Sequence, residues 1–312
     1  MSTADIDIAS LRSWIGRTET QWDHITVPAV HRLAALLDRD DPMPREGDVL
    51  PQGWHSILFP RVARQSQLAE DGHPRRGDFL PPVPLPRRMF AGRRTVFHGS
   101  LRVGDQVTRE SAIASVEHKQ GRSGAMIFVT VRSEISAGRG VAVTEEQDIV
   151  YRGPPSGGPA GPSSGSSAGV PDEAAVATGA AAATGAAARN AAPAPPAAVW
   201  SRTCIPDETM LFRYSALTFN AHRIHYDVPY ATGVERYPAL VVNGGLATLM
   251  LYELLRTHAG AAVARMSSRN LRPLFAGQPM RLEADPLEGG ARCRVLDAGA
   301  AVAIAAEVSW SA

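Results

Sequence analysis

Cysteine is scarce in this 312-residue chain: Cys204 and Cys293 are its only two, and neither sits in a Cys-x-x-Cys or beside a cluster of metal ligands. That excludes a disulfide framework and a cysteine-built zinc site, suits a reducing compartment, and leaves both residues as packing side chains. Net charge is almost absent as well. With 32 Lys+Arg against 31 Asp+Glu the formal charge is +1, which argues against a nucleic-acid footprint or a polybasic membrane anchor. Nowhere does an apolar run reach the roughly 18 residues that a membrane helix needs, and the opening Met1-Ser-Thr-Ala-Asp-Ile-Asp-Ile lacks the cationic start and apolar stretch of a signal peptide. A soluble, cytoplasmic protein with small-molecule partners is expected.

Charge and apolar periodicity are both missing from 153–199, which is almost wholly Gly, Pro, Ser, Ala and Thr, with only Asp172, Glu173 and Arg189 charged. Such a stretch cannot bury a core and is expected to be a disordered tether, its alanine runs at most flickering into helix. It separates an N-terminal unit, 1–152, from a C-terminal unit, 200–312.

The two units follow one plan. Val27–Asp38 in the first and Ile205–Leu217 in the second read as short helices after or across a proline. Strand-like segments close each unit: Val96–Thr108 and Ala125–Arg132, against Leu271–Leu282 and Ala300–Trp310. Leu101-Arg-Val-Gly-Asp105 matches Leu274-Phe-Ala-Gly-Gln278 in spacing. Leu246, Leu249, Met250, Leu254 and Leu255 recur at three- and four-residue spacing, so Gly245–Thr257 is expected to be a largely buried helix. Its first-half counterpart, Trp54-His-Ser-Ile-Leu-Phe59, is shorter and stops at Pro60. Alternating strands around a buried helix predict an α+β arrangement of antiparallel sheets.

Two neighbouring segments carry the chemistry. Tyr214-Ser-Ala-Leu-Thr-Phe-Asn-Ala-His-Arg-Ile-His-Tyr-Asp227 gathers Asn220, His222, Arg223, His225 and Asp227 within eight residues, and Pro238–Met250 runs into Gly244-Gly245 at a helix start. His225 is the lead proton-transfer residue, because an imidazole exchanges protons near neutrality. Asn220 is a hydrogen-bonding partner for water or substrate, not a base. Gly244 and Gly245 either offer amides to a thioester oxygen at the positive end of the helix or form a turn that needs positive φ. Tyr214, His222, Arg223 and Asp227 are candidate substrate contacts; His222, His225 and Asp227 do not match a strong zinc spacing, and no metal is expected. In the first half, Asp71–Met89 is Pro-rich and carries Arg87 and Arg88, either binding groups for a carboxylate or phosphate or part of a solvated extended edge.

These segments resemble the MaoC-like hot-dog hydratases and dehydratases, whose motif Asp-x-Asn-Pro-(Ile/Leu)-His precedes the central helix. His225 falls on the motif's histidine, while Asn220, His222 and Arg223 stand at its Asp, Asn and Pro positions. Leu-Thr-Phe-Asn-Ala-His-Arg-Ile-His-Tyr-Asp, Phe79–Gly92 and Glu145–Arg152 look like the type 2 hydroxyacyl-thioester dehydratases and the related itaconyl-CoA and mesaconyl-CoA hydratases. The resemblance implies a double hot dog, with an N-terminal domain that shapes the acyl pocket and a C-terminal domain that keeps catalysis. It also implies reversible addition of water to an enoyl thioester without metal or redox cofactor, coenzyme A or an acyl carrier being part of the substrate. With no aspartate at 220, His225 is expected to work through water positioned by Asn220, Asp227 being the other candidate. A hot-dog thioesterase and a non-catalytic acyl-thioester binding module are the competing readings, and monomer and homodimer both remain open.

Overall fold

The computed structural model describes residues 6–121, 124–153 and 198–311; nearly all of the expected tether, 153–199, lies outside them. Among the described residues, ten antiparallel strands form one continuous sheet. The first half supplies β1 (Thr18–His24), β2 (Arg87–Phe97), β3 (Gln106–Gly121), β4 (Gly124–Ala137) and β5 (Gly140–Arg152). The second supplies β6 (Trp200–Cys204), β7 (Val263–Asn270), β8 (Met280–Leu287), β9 (Gly290–Leu296) and β10 (Val302–Trp310). Their order, β1-β3-β4-β5-β2-β7-β10-β9-β8-β6, reads the same from either edge once five is added to each first-half number. The halves are therefore one topology used twice, joined through β2 and β7, where Gly92 pairs with Arg269 and Thr95 with Met266.

Helices follow the same duplication. After β1 comes α2 (Val27–Leu36) and after β6 comes α3 (Glu208–Leu217), the short α1 (Ile8–Arg12) lying before both. Thr26 caps α2 by accepting the Ala29 amide at 3.3 Å, and Asp207 caps α3 by accepting that of Met210 at 2.7 Å. The long α4 (Gly244–His258) buries every residue from Leu246 to Leu255, as its apolar spacing predicts. Its first-half counterpart shrinks to a 3-10 turn, Trp54–Ile57.

The repeated Leu-x-x-Gly segments turn out not to be strand interior. β2 ends at Phe97 and β3 begins at Gln106; β7 ends at Asn270 and β8 begins at Met280. Each intervening loop pins the chain ahead of the helix instead. The Leu50 amide donates to Leu101 O and the Val242 amide to Leu274 O, both at 2.8 Å, while Gly104 and Gly277 donate to Ile25 O and Pro206 O at 2.7 and 2.8 Å. The Pro-rich stretch is likewise no solvated edge. Pro81, Val83, Leu85 and Arg87 are buried and Pro82, Pro84 and Pro86 exposed, the period of two that an extended chain imposes on a core-facing segment. Leu80, Val83 and Leu85 pack with Ile127, Ile149 and Tyr151 in a core of the first half.

A buried polar network ties the halves together. Glu253 on α4 is 4% exposed; its carboxylate accepts the Trp54 indole N–H at 2.8 Å and pairs with Arg39 Nη1 at 2.9 Å and Arg256 Nη2 at 3.0 Å. Among the described residues, no helix is long and apolar enough to cross a membrane. Because removing the buried carboxylate leaves the Trp54 N–H without a partner and takes from Arg39 one of its two acids, Glu253→Ala is expected to cost about 3 kcal/mol. Glu253→Gln, which keeps an acceptor for Trp54, is expected to lose less; denaturant midpoints of the two variants and the parent check this.

Candidate active site

Between the halves lies a cavity of about 790 Å³, walled by the loop after α3, the start of α4, β2 and the first-half loop around His73. The α3 helix ends at Leu217, and Phe219 (φ 51°) turns the chain out of it. Asn220 Oδ1 then accepts the His222 amide at 3.0 Å, and Arg223–His225 forms one 3-10 turn. Outside that turn, Arg223 pairs with Asp227 at 2.7 Å and lies 4.2 Å over the Tyr230 ring, while Asp227 Oδ1 accepts the Tyr230 amide at 3.0 Å. This clip holds the loop from the solvent side.

His225 faces the other way. It is 7% exposed, and its Nδ1 lies 2.7 Å from Val241 O. A carbonyl only accepts, so Nδ1 carries the proton and Nε2 is left with a free lone pair. Burial is the main influence on the ring and pushes its pKa down to about 4, the Val241 bond opposing and the neighbouring His73 adding to the fall. The ring is therefore neutral at physiological pH. His222 is also driven well below the usual histidine range by burial, and next by the charges of His73 and His225.

The glycines at the start of α4 are required by close approach. Neither has positive φ. A Cβ at Gly244 would lie 2.7 Å from Asn270 Nδ2, and one at Gly245 would lie 2.8 Å from the Tyr214 hydroxyl. The first turn of the helix, whose amides have no intrahelical partner, lies on the cavity wall at Gly244 and Gly245. Tyr214 is buried against them, and burial raises its pKa. Asn243, the residue before the helix, is 3% exposed and neither end of its amide has a partner among the described residues. Sequence reasoning missed it; a polar residue just before Gly-Gly is its only local signal.

The remaining expected residues divide. His222, Arg87 and Arg88 line the cavity with His225, Asn220, Tyr214 and the two glycines. Arg223 and Asp227 do not, because each satisfies the other on the outer face of the loop, so neither stands as a substrate contact and Asp227 does not replace the missing aspartate. Arg87 is engaged too, pairing with Glu235 at 2.9 Å and donating to the Tyr237 hydroxyl at 2.7 Å. Arg88 differs: among the described residues it has no ion-pair partner, and burial lowers its pKa. Arg109, also on the cavity wall, is pushed down to about 10 by burial and donates to Gln21 and to Phe59 O rather than to a carboxylate.

Two further residues come from the first half, unannounced by any local motif. His73 Nδ1 lies 2.9 Å from Asp71 Oδ2, and the His73 ring stands 4.1 Å from that of His222, which is 5.3 Å from His225. Ligand atoms of Asp71, His73 and His222 all fall within 4.8 Å of one another. Burial would raise the Asp71 carboxyl, but the hydrogen bond and charge of His73 outweigh it and hold it well below the usual carboxylate range.

Comparisons with known proteins agree with this architecture. The profile of the hydroxyacyl-thioester dehydratase type 2 family matches residues 53–180 and 171–276. Mesaconyl-C(4)-CoA hydratase of Chloroflexus aurantiacus is 43% identical over 286 residues, which are 92% of this chain and 91% of that protein. Among solved structures, HtdX of Mycobacterium tuberculosis superposes with a TM-score of 0.61 at 16% identity, over 95% of this chain and 100% of that one. A second M. tuberculosis protein, described as having a double hot-dog fold, gives 0.58 at 15% identity over 99% of each chain. A repeated five-strand topology, one long buried helix and a histidine loop at its start thus sit on a sequence matched through both halves, and the chain belongs to the hydroxyacyl-thioester dehydratase type 2 family, with a double hot-dog fold.

Proposed function

We propose that this protein is a hydro-lyase that reversibly adds water to the double bond of an enoyl thioester, and that its acyl group is a branched, dicarboxylic C5 unit of the mesaconyl kind. The observation that carries the reaction is the pairing, on one cavity wall, of a neutral His225 with a free Nε2 and the unpartnered amides that begin α4. In hydration, Nε2 takes a proton from water as the oxygen bonds to the β-carbon. The π electrons move towards the thioester carbonyl, where the Gly244 and Gly245 amides and the helix dipole stabilise the developing negative charge. The Asn243 amide offers a further donor beside them.

Two things favour the dicarboxylic acyl group. The relative that matches this chain over nine-tenths of its length is named for mesaconyl-C(4)-CoA, a thioester that keeps a free carboxylate. The cavity wall of this chain carries Arg88 and Arg109, which make no ion pair among the described residues; the acids near them are engaged elsewhere, Asp71 by His73, Glu19 by Arg61 and Glu145 by His55 and Arg93. A buried guanidinium without an anion is costly, and a substrate carboxylate meets that need in the bidentate geometry arginine prefers.

His225→Ala is expected to lower kcat for hydration of mesaconyl-C4-CoA by about 100- to 10,000-fold, the range typical of a lost acid–base group. Enoyl absorbance follows the reaction, and a variant as active as the parent removes His225 from the mechanism. Loss of the enoyl band accompanied by stoichiometric release of free thiol assigns a thioesterase instead, and saturable binding with no turnover assigns a binding module. Arg88→Met is expected to lower kcat/KM for mesaconyl-C4-CoA about 10- to 100-fold, the value of a hydrogen bond to a charged group. Crotonyl-CoA, which has no free carboxylate, is expected to change less than threefold; an equal loss on both substrates argues against a carboxylate contact at Arg88.

A further inference from the structure

We infer that Asp71 and His73, on the first-half loop, form the second proton-transfer group of the site, standing in for the carboxylate that Asn220 does not provide. The inference rests on the hydratase reading. Addition of water needs a proton at the α-carbon as well as a base for the water, and the second half offers no free carboxylate for it among the described cavity residues: Asn220 is not an acid and its Oδ1 accepts the His222 amide, Asp227 pairs with Arg223, and Glu235 pairs with Arg87.

The first-half loop is built to stay in place. Gly72, at φ +88°, passes so close to the histidine loop that a Cβ there would fall 1.8 Å from Ala221 O. The Arg223 amide donates to Asp71 O at 2.9 Å, and Arg223 Nη1 donates to Glu70 O at 3.2 Å. Asp71 Oδ1 accepts the His73 amide at 2.9 Å while Oδ2 meets His73 Nδ1 at 2.9 Å. A carboxylate held against Nδ1 fixes the tautomer and leaves Nε2 to exchange a proton, the arrangement that orients a catalytic imidazole. His73 lines the cavity with His225.

The proton balance closes within the three rings. In hydration His225 Nε2 gains the water proton as the C–O bond forms. That proton passes to His73 by way of His222, whose ring packs against both. His73, now an imidazolium stabilised by Asp71, gives its Nε2 proton to the α-carbon as the enolate-like charge collapses into a C–H bond, and all three rings end neutral as they began. Dehydration runs the same steps backwards, neutral His73 taking the α-proton. Around His73 the charged and titratable groups are Asp71, Arg76, Arg88, His222 and His225; burial is the largest influence and lowers its pKa, with Asp71 opposing.

The test is a set of pH–rate profiles for hydration and dehydration by the parent, His73→Gln, Asp71→Asn and Asp71→Glu, each checked for folding by its melting curve. His73→Gln is expected to lose about 100-fold or more in kcat with KM within threefold of the parent. Asp71→Asn removes the charge that supports the His73 imidazolium, so the limb belonging to His73 moves to lower pH. Asp71→Glu keeps that limb and recovers part of the rate. A merely structural loop would lower rates without moving the limb. Near-parental turnover by His73→Gln, or an unmoved limb in Asp71→Asn, overturns the inference, and His73→Asn gives a second reading where the glutamine variant does not fold. Activity lost on dialysis against a chelator and restored by zinc also overturns it, in favour of a metal held by Asp71, His73 and His222. A parent enzyme that hydrates no enoyl thioester refutes the hydratase reading itself; a hydrating parent with an equally active His73→Gln refutes only this step.

Discussion

Pairing of β2 with β7 is the constraint on which the rest of the structure depends. It turns two five-strand units into one sheet, sets the first-half loop at 69–75 against the second-half loop at 220–225, and so makes the cavity a property of neither half alone. The contact between the loops is made of backbone: an amide of Arg223 on a carbonyl of Asp71, and a glycine pressed on the carbonyl of Ala221. Backbone contacts of this kind leave little room to slide, because any shift strands a buried donor or drives atoms into overlap. Precision in the placement of Asp71 and His73 comes from there.

Duplication explains where the two halves differ. Both units keep the capped helix after their first strand and the loop that pins the segment before the next helix. Among the described residues only the second keeps the long helix, whose first-turn amides have no intrahelical partner and whose Gly244 and Gly245 leave room for Asn270 and Tyr214. At the corresponding place in the first half Gly53 is followed by Trp54, whose indole reaches Glu253 on α4. One half has spent its helix start on packing the seam, and the other has left it open to the cavity.

What was legible in the sequence follows from range. The buried face of α4, the capped short helices and the histidine loop before Gly-Gly are written in residues three or four apart, and those readings match the elements observed. Arg223 and Asp227 were misread although they too are four apart, because a pair that neutralises itself on the outer side of a turn looks, in sequence, like two free functional groups. The loops at 98–105 and 271–279 read as strand because they run into apolar, strand-like segments, yet glycines in left-handed backbone at 104 and 277 turn the chain there. Asp71 and His73 could not be found at all by such rules, since what brings them to His222 is a contact across about 150 positions, and inside their own segment they read only as the start of a Pro-rich stretch.

Charge distribution in the cavity gives these placements a common sense. The three histidines are held neutral by burial, so none repels a cation or binds an anion in the resting site, while Arg88 and Arg109 stand on the wall without an ion-pair partner among the described residues. An anionic acyl group entering this space meets the positive charge of Arg88, close to His73 and His222, and the helix start of α4. As negative charge grows on the thioester oxygen, the nearest response is the helix N-terminus, and the nearest place for a positive counter-charge is the ring backed by Asp71. A low dielectric raises the value of both interactions during the reaction and the cost of both groups before it. That cost is why the carboxylate is delivered already hydrogen-bonded to its imidazole, on a loop that the seam holds still.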